Sequence, residues 1–263
     1  MVAKAGVAVV ARDISPEAVE AGRGRVTASL DKAVDRGKLD AAARDATVDR
    51  ITWTSTLADL GGCDLVIEAA VENLELKRTI FAELDTVLAP DAIMATNTSS
   101  IPVVDIAMAA TRPERVLGVH FFNPAPVMKL VEVIATERTD PAVAADVTAF
   151  VTEVLDKRVV PSRDRAGFVV NALLVPYICQ AIAMFDTGHA SATDIDDAMV
   201  LGAGHPMGPL TLADLIGLDV CLAVAESLHE EYAERVYAPP PLLRRMVAAG
   251  HLGRKTGQGF HSY

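Results

Sequence analysis

"VAVVARDISPEAVEAGRGRVTASLDKAV", residues 7–34, decides the fold. Its first five residues are small and apolar and predict a short buried strand, which ends in the acid Asp13. Ser15 and Pro16 then open a helix, one by accepting a free amide of the first turn, the other by fitting its φ. That helix is expected from Ser15 to Arg36, closed by Gly37. Strand, acid and helix in this order match the second strand of a dinucleotide-binding sheet, where the acid grips the adenosine ribose. Such an acid normally follows a glycine-rich phosphate loop by roughly 20 residues. Here twelve residues precede Asp13, and no such loop is among them.

Outward from this stretch, strand and helix signals alternate. Asp40 starts a shorter helix, and "ITWTST" (51–56) and "CDLVIEAA" (63–70) read as strands. "NLELKRTIFAELDTVL" (73–88) carries Leu76, Ile80, Leu84 and Val87 at helical spacing, and Pro90 stops it. "AIMATNT" (92–98) predicts a strand, "PVVDIAMAA" (102–110) a helix and "VLGVHFF" (116–122) a strand. Short apolar strands separated by amphipathic helices imply an α/β fold with a doubly wound, Rossmann-type, mostly parallel sheet covered on both faces. Past residue 162 the strand signals stop. Helical patterns follow at 167–185, 192–200, 210–233 and 240–250. The expectation is a dinucleotide-binding domain over residues 1–162 and an all-helical domain over residues 163–263. Two glycine clusters, "GAGHPMG" (202–208) and "GRKTGQG" (253–259), fail the spacing of phosphate loops and read as turns between helices.

The bulk numbers bound the function. The net charge of −11 on 263 residues argues against a nucleic-acid partner, since phosphate is held by Lys and Arg. Cys63, Cys179 and Cys221 are odd in number and lack metal-type spacing, which fits a reducing, cytoplasmic setting. Residues 166–185 are uncharged over twenty positions, nominally enough to span a bilayer. They include Asn171, Pro176 and Gln180, lack a basic or aromatic girdle, and are read as a helix buried in a core or a subunit interface rather than in a membrane.

"VLGVHFFNPAPVMKLVEV" (116–133) carries the chemistry. Two strand-like runs flank "NPAPVMK", whose prolines favour a connection over a continuous ladder. If the runs fold back on each other, His120 and Glu132, equidistant from Pro126, face each other as a cross-strand pair. An imidazole oriented by a carboxylate suits proton removal from an alcohol while hydride leaves the same carbon. The spacing equally allows a structural bond that ties a hairpin together.

"VIEAAVENLELKRTIFAELD", "ATNTSSIPV", "VLGVHFFNPAPVMKLVEV", "GFVVNALLVPY", "LGAGHPMGPLTLADLIGLDVCLA" and "PPLLRRMVAAGHLGRKTGQGF" resemble consecutive blocks of the 3-hydroxyacyl-CoA dehydrogenases. The likeness is strongest to the stand-alone bacterial 3-hydroxybutyryl-CoA dehydrogenases and runs from Met1 to the C-terminus. It implies oxidation of an (S)-3-hydroxyacyl-CoA to the 3-ketoacyl-CoA with NAD, or the reverse. By the resemblance His120 is the general base and Glu132 its orienting partner, and Ser99 and Asn171 hydrogen-bond the substrate around its reacting oxygens. Taken alone, Ser99 also fits a cap for the helix after it, and Asn171 a satisfied polar group in an apolar helix. Further carry-overs put Asp13 on the adenosine ribose, and Glu72 and Lys77 near the nicotinamide ribose and substrate. Asn123 and Lys255 follow as cofactor contacts, and Ser29 and Arg36 as contacts of the CoA moiety, with a solvated charge as the other reading of Arg36. Asp13 repels a 2′-phosphate, which favours NAD over NADP despite Arg12 beside it.

The chain departs from the family at its start, where the resemblance expects a first strand and a GxGxxG turn ahead of "MVAKAG". A sheet without its central strand is expected to leave two neighbours with unpaired backbone and an open slot, which predicts a longer natural protein. Two competing readings stay open: a catalytically silent chain that keeps the helical domain, and a related dehydrogenase of a non-CoA hydroxy acid. The apolar excess of the helices predicts a homodimer through the helical domain.

Overall fold

The computed structural model describes residues 1–263. They form two compact units, one of residues 1–98 and 103–164 and one of residues 99–102 and 165–263. The division falls after Asp164, two residues beyond the expected boundary, and the segment 99–102 goes with the helical unit.

In the first unit β1 (Val9–Arg12) pairs in parallel with β2 (Ile51–Thr54), Val9 opposite Ile51 and Arg12 opposite Thr54. Between them lie α1 (Pro16–Asp35) and α2 (Ala41–Asp49), capped as the sequence predicts. Ser15 Oγ accepts from the Ala18 amide and Asp40 Oδ1 from the Ala43 amide. A second sheet runs β3 (Leu65–Glu68), β4 (Ile93–Thr96), β5 (Val116–Phe121), β6 (Leu130–Ala135) and β7 (Arg158–Arg163). All its neighbours are parallel except β5 and β6, which are antiparallel.

β1 and β3 therefore each have one strand neighbour, and the sheet is split between them. A cavity of about 1120 Å³ occupies the split, lined by Val9, Val10 and Ala11 on one side and Leu65, Val66 and Ile67 on the other. The slot thus runs between two open strand edges.

β4 and β5 form the centre of the closed part. Ile93, Ala95, Leu117 and Val119 share one face with Val131 and Val133 of β6 and pack on Val143 and Val147 of α5 (Pro141–Ala149). The alternate positions of β5 are Gly118 and His120, pointing to the opposite face. Gly118 has no side chain because one would press on Ile134 and on Val103 of α4 (Val103–Ala107). Helix α3 (Leu74–Val87) turns inward a face that shares Leu84 with the expected one but is shifted by about one position. Lys77, Phe81, Leu84 and Leu88 are buried, and Leu76 is exposed. A lysine occupies a core position there because it meets a buried carboxylate, which an apolar count does not register. The sequence reading also missed α5 and β7. β7 is an edge strand with Pro161 inside it and only partial burial, so its apolar pattern is weak.

The second unit is helical: α6 (Val170–Asp186), α7 (Ala192–Asp197), α8 (Pro209–Ile216), α9 (Leu218–Tyr232) and α10 (Pro241–Ala248). Residues 210–233 read as one helical pattern, but the chain breaks at Gly217, whose φ of 105° no helix accommodates. Ile178, Ile182, Leu210, Leu218, Leu228 and Leu243 are fully buried in its core. Two buried aspartates explain the glycine clusters. Asp196 caps α8 through the amides of Leu210 and Thr211, and Asp214 accepts from the amides of Phe260 and His261. A Cβ at Gly208 would overlap Asp196, and one at Gly259 would overlap the Asp214 carboxylate. The first cluster connects two helices, as expected, whereas the second is a tight turn past α10 with no helix after it, and Gly208 and Gly259 make room for these two carboxylates. No helix is long and apolar enough to cross a membrane.

Candidate active site

His120 lies opposite Glu132 in the β5–β6 ladder. His120 Nδ1 is 2.8 Å from Glu132 Oε2, with the imidazole 4% and the glutamate 0% exposed. A buried carboxylate at that distance keeps the ring proton on Nδ1 and makes Nε2 the basic nitrogen. It also stabilises the imidazolium formed when Nε2 gains a proton. The Phe122 ring packs against the imidazole, centroids 4.6 Å apart, and limits its rotation.

Three residues that the sequence reading did not single out brace the surroundings, two of them the strand and the connection that carry this pair. Asn97 Oδ1 accepts from the Phe121 amide at 2.9 Å and ties the end of β4 to the strand that carries His120. Lys157, buried, donates to the carbonyls of Ala125 (2.7 Å) and Met128 (2.6 Å), which fixes the connection between β5 and β6. Burial pushes the Lys157 ammonium below the ordinary lysine range, and Lys129 nearby adds to this. Asp164 caps α4 by accepting from the Val103 (2.8 Å) and Val104 (2.6 Å) amides. Burial holds the Asp164 carboxyl above the usual carboxylate range. The signal for Asn97 was its place in "ATNT", directly past a strand end. Lys157 and Asp164 gave no local signal, since each acts on a segment distant in sequence.

The C-terminal ends of parallel strands are where ligands bind in such sheets. Asp13 follows β1 and stays in the ladder, its amide donating to Thr54 O, while Oδ1 accepts from the Ile14 amide. At the end of β3, Lys77 donates to both oxygens of Glu68 at 2.8 and 3.0 Å and lies 3.3 Å from Glu72 Oε2. Glu72 Oε1 accepts from Thr98 Oγ1 at 2.7 Å. Asp13, Glu72 and Lys77 thus all lie past or beside strand ends of the first unit, Lys77 as a buried cation and Glu72 at the surface. Asn123 is exposed in the β5–β6 connection, and Ser29 and Arg36 are exposed along and at the end of α1. Ser99 and Asn171 fall in the helical unit, both half-buried, Asn171 in the first turn of α6. The Val103 and Val104 amides at the start of α4 are taken by Asp164. Lys255, also in the helical unit, is held by both oxygens of Asp219.

Asp13, Glu72 and Asn123 suit the hydroxyls and amide of a dinucleotide, so the residues present fit the ends of NAD and assign no contact to its pyrophosphate. No cluster of His, Cys, Asp or Glu that could hold a metal ion is present.

The profile of the 3-hydroxyacyl-CoA dehydrogenase NAD-binding domain matches residues 1–165, and that of the family's C-terminal domain matches residues 167–263. The chain belongs to the 3-hydroxyacyl-CoA dehydrogenase family. It is similar to a 3-hydroxybutyryl-CoA dehydrogenase of Mycobacterium tuberculosis, 51% identical over 262 residues that cover 99% of this chain and 92% of the relative. One from Bradyrhizobium diazoefficiens is 46% identical over 99% of this chain and 89% of its own length. Among solved structures, FadB2 of M. tuberculosis superposes with a TM-score of 0.98 at 50% identity, covering 100% of this chain and 92% of that one. The (S)-3-hydroxybutyryl-CoA dehydrogenase PaaH1 of Ralstonia eutropha gives 0.95 at 44% identity, over 99% and 92%. Family membership makes this chain an NAD-dependent oxidoreductase of 3-hydroxyacyl-CoA.

Proposed function

We propose that the substrate is a short-chain (S)-3-hydroxyacyl-CoA, 3-hydroxybutyryl-CoA first among them, and that His120 is the general base of its oxidation. The observation that carries this is the buried His120–Glu132 pair at 2.8 Å, inside a chain that one family matches from end to end. NAD, when bound, accepts hydride from the carbon that bears the hydroxyl. His120 Nε2 takes the hydroxyl proton, and Glu132 stabilises the imidazolium that results. In the reverse direction the same nitrogen returns the proton to the ketone oxygen. Ser99 and Asn171 hydrogen-bond the substrate around that oxygen. Asp13 holds the adenosine ribose, Glu72 and Lys77 serve the nicotinamide ribose side, and Asn123 and Lys255 complete the cofactor contacts. Ser29 and Arg36, both on α1, meet the CoA moiety.

The active form is a homodimer joined through the helical unit and resides in the cytoplasm. In support, Leu173 and Leu201 are 73% and 83% exposed, and Val169, Met184 and Leu215 are exposed as well. The three cysteines are all unpaired, in keeping with a reducing compartment.

A second reading, a chain that keeps the helical unit and turns nothing over, draws on one observation. Between β1 and β3 the sheet is open, beside the strand end that carries Asp13. One assay separates the two: NADH oxidation with acetoacetyl-CoA, run on this chain and on the same chain with a strand and GxGxxG turn added upstream. Oxidation by this chain as it stands is the expected result and supports the dehydrogenase; oxidation by the extended form alone would leave this chain silent. A folded chain inactive in both forms would favour the silent reading, and faster turnover of a non-CoA hydroxy acid would remove the CoA substrate.

A further inference from the structure

Glu68, the last residue of β3, is a buried carboxylate that the His120 chemistry does not use. Its contacts converge from three directions. Oε2 accepts from Thr96 Oγ1 of β4 at 2.7 Å, Oε1 accepts from the Ala70 amide of the following loop, and both oxygens accept from Lys77 of α3. Its backbone carbonyl also accepts from the Asn97 amide at 2.8 Å. Lys77 bridges onward, with Nζ 3.3 Å from the Ala70 carbonyl and 3.3 Å from Glu72 Oε2. Glu72 is the outward end of this relay, its side chain 34% exposed against 3% for Glu68 and 1% for Lys77.

An ion pair sealed to this degree is poor at stabilising a fold, because the loss of hydration offsets most of the attraction. An apolar pair of similar volume would pack a helix on a strand equally well. What the charged pair supplies is position. Lys77 spends its three donors on the two oxygens of Glu68, itself fixed by β4 and by the loop, and on the Ala70 carbonyl, so its charge is held at one point, 3.3 Å from Glu72 Oε2.

We propose that Glu68 is a positioning residue for the dehydrogenase. Acting through Lys77, it fixes the Glu72 carboxylate and the loop 69–73 in the conformation that receives the nicotinamide ribose. The proposal rests on the reading that Glu72 faces that ribose, and the experiment is arranged to tell the two apart.

NADH affinity is measured by fluorescence titration, with hydrogen exchange of the amides of residues 70–73 as a readout independent of turnover. Glu72→Gln is expected to weaken NADH binding about tenfold, the worth of one hydrogen bond to a charged group. Glu68→Gln is expected to weaken it by a similar factor, to speed exchange at residues 70–73 without cofactor, and to raise KM for NAD far more than it lowers kcat. Glu68→Gln combined with Glu72→Gln is expected to bind no more weakly than Glu72→Gln alone, since both lie on one line of action. Thr96→Val removes a single neutral bond to Glu68 and serves if Glu68→Gln does not fold. Its expected loss is about two- to fivefold, again absent in the Glu72→Gln background. Unchanged affinity in a folded Glu68→Gln, or losses that multiply in the double variant, overturn the positioning role and leave the ribose reading standing. A Glu72→Gln with unchanged affinity, or a parent chain that takes no NADH at millimolar concentration, overturns the ribose reading and the proposal with it.

Discussion

β4 and β1 are both four-residue strands from similar runs, IMAT and VVAR, yet every residue of β4 is buried and every residue of β1 is only half-buried. β3, LVIE, is likewise half-buried except at Glu68, while β5 is buried over its first five residues. Composition does not separate the strands; neighbours do. A parallel strand is sealed only with a partner on each edge and a layer on each face. β4 and β5 have these, whereas β1 and β3 each lack a partner on the side that faces the slot. Each buried backbone group left unpaired costs roughly 1–3 kcal/mol, so the two open edges are the weaker part of the sheet. The slotted half carries Asp13 and Glu68, and the closed half carries His120 and Glu132.

The largest effect that tests this contrast is on turnover. His120→Gln, in the closed half, is expected to lower kcat with acetoacetyl-CoA by about 10²–10⁴-fold, the usual worth of a general base. Asp13→Asn, beside the slot, is expected to act on KM for NAD by about tenfold and to leave kcat nearly unchanged. Steady-state kinetics decide, and a His120→Gln enzyme within tenfold of its parent would break the assignment.

Stability comes next. Leu117→Ala in β5, a fully buried site, is expected to lose about 2–5 kcal/mol. Ile67→Ala in β3, on the wall of the slot, is expected to lose about 1 kcal/mol, because its side chain is only partly withdrawn from water. Urea unfolding of both variants is the check; equal losses would mean that the slot is closed in solution.

The smallest expected effect concerns the thiols. Burial pushes the Cys179 thiol up to about 11 and the Cys221 thiol up to about 12, so neither is expected to react with a thiol reagent at neutral pH in the folded protein. Cys63 lines the slot and is half-buried; burial, with Asp64 beside it, raises its thiol too. It is expected to label slowly and before the other two. Mass spectrometry of the labelled peptides reads this directly, and early labelling of Cys221 would place the opening in the helical unit.

Much of the fold is legible where it is set by local chemistry. Ser15, Asp40 and Asn73 cap the helices they precede, because a short polar side chain accepts an amide within three residues of itself. The His120–Glu132 pair is legible because an antiparallel reversal pairs residues of constant index sum, whatever surrounds it. β7 and the inward face of α3 are not legible. The first is an edge strand with a proline, and the second turns on Lys77, whose burial depends on a carboxylate nine positions earlier. The break at Gly217 was hidden because apolar spacing continues across it.

The sequence by itself determined the alternation of strand and helix, the change to an all-helical second part, the caps, and the pairing that joins an imidazole to a carboxylate. These follow from contacts within about a dozen residues along the chain. Only the tertiary structure decided that Glu68, Lys77, Glu72 and Thr98 form one relay, that Lys157 and Asp164 brace segments far from them in sequence, and that Asp196 and Asp214 occupy the space left by glycines. It also identified β1 and β3 as the two open edges that flank the cavity. The physical reason is that burial and desolvation are properties of what a residue is packed against. A strand or a lysine reads the same in sequence whether its neighbour is protein or water.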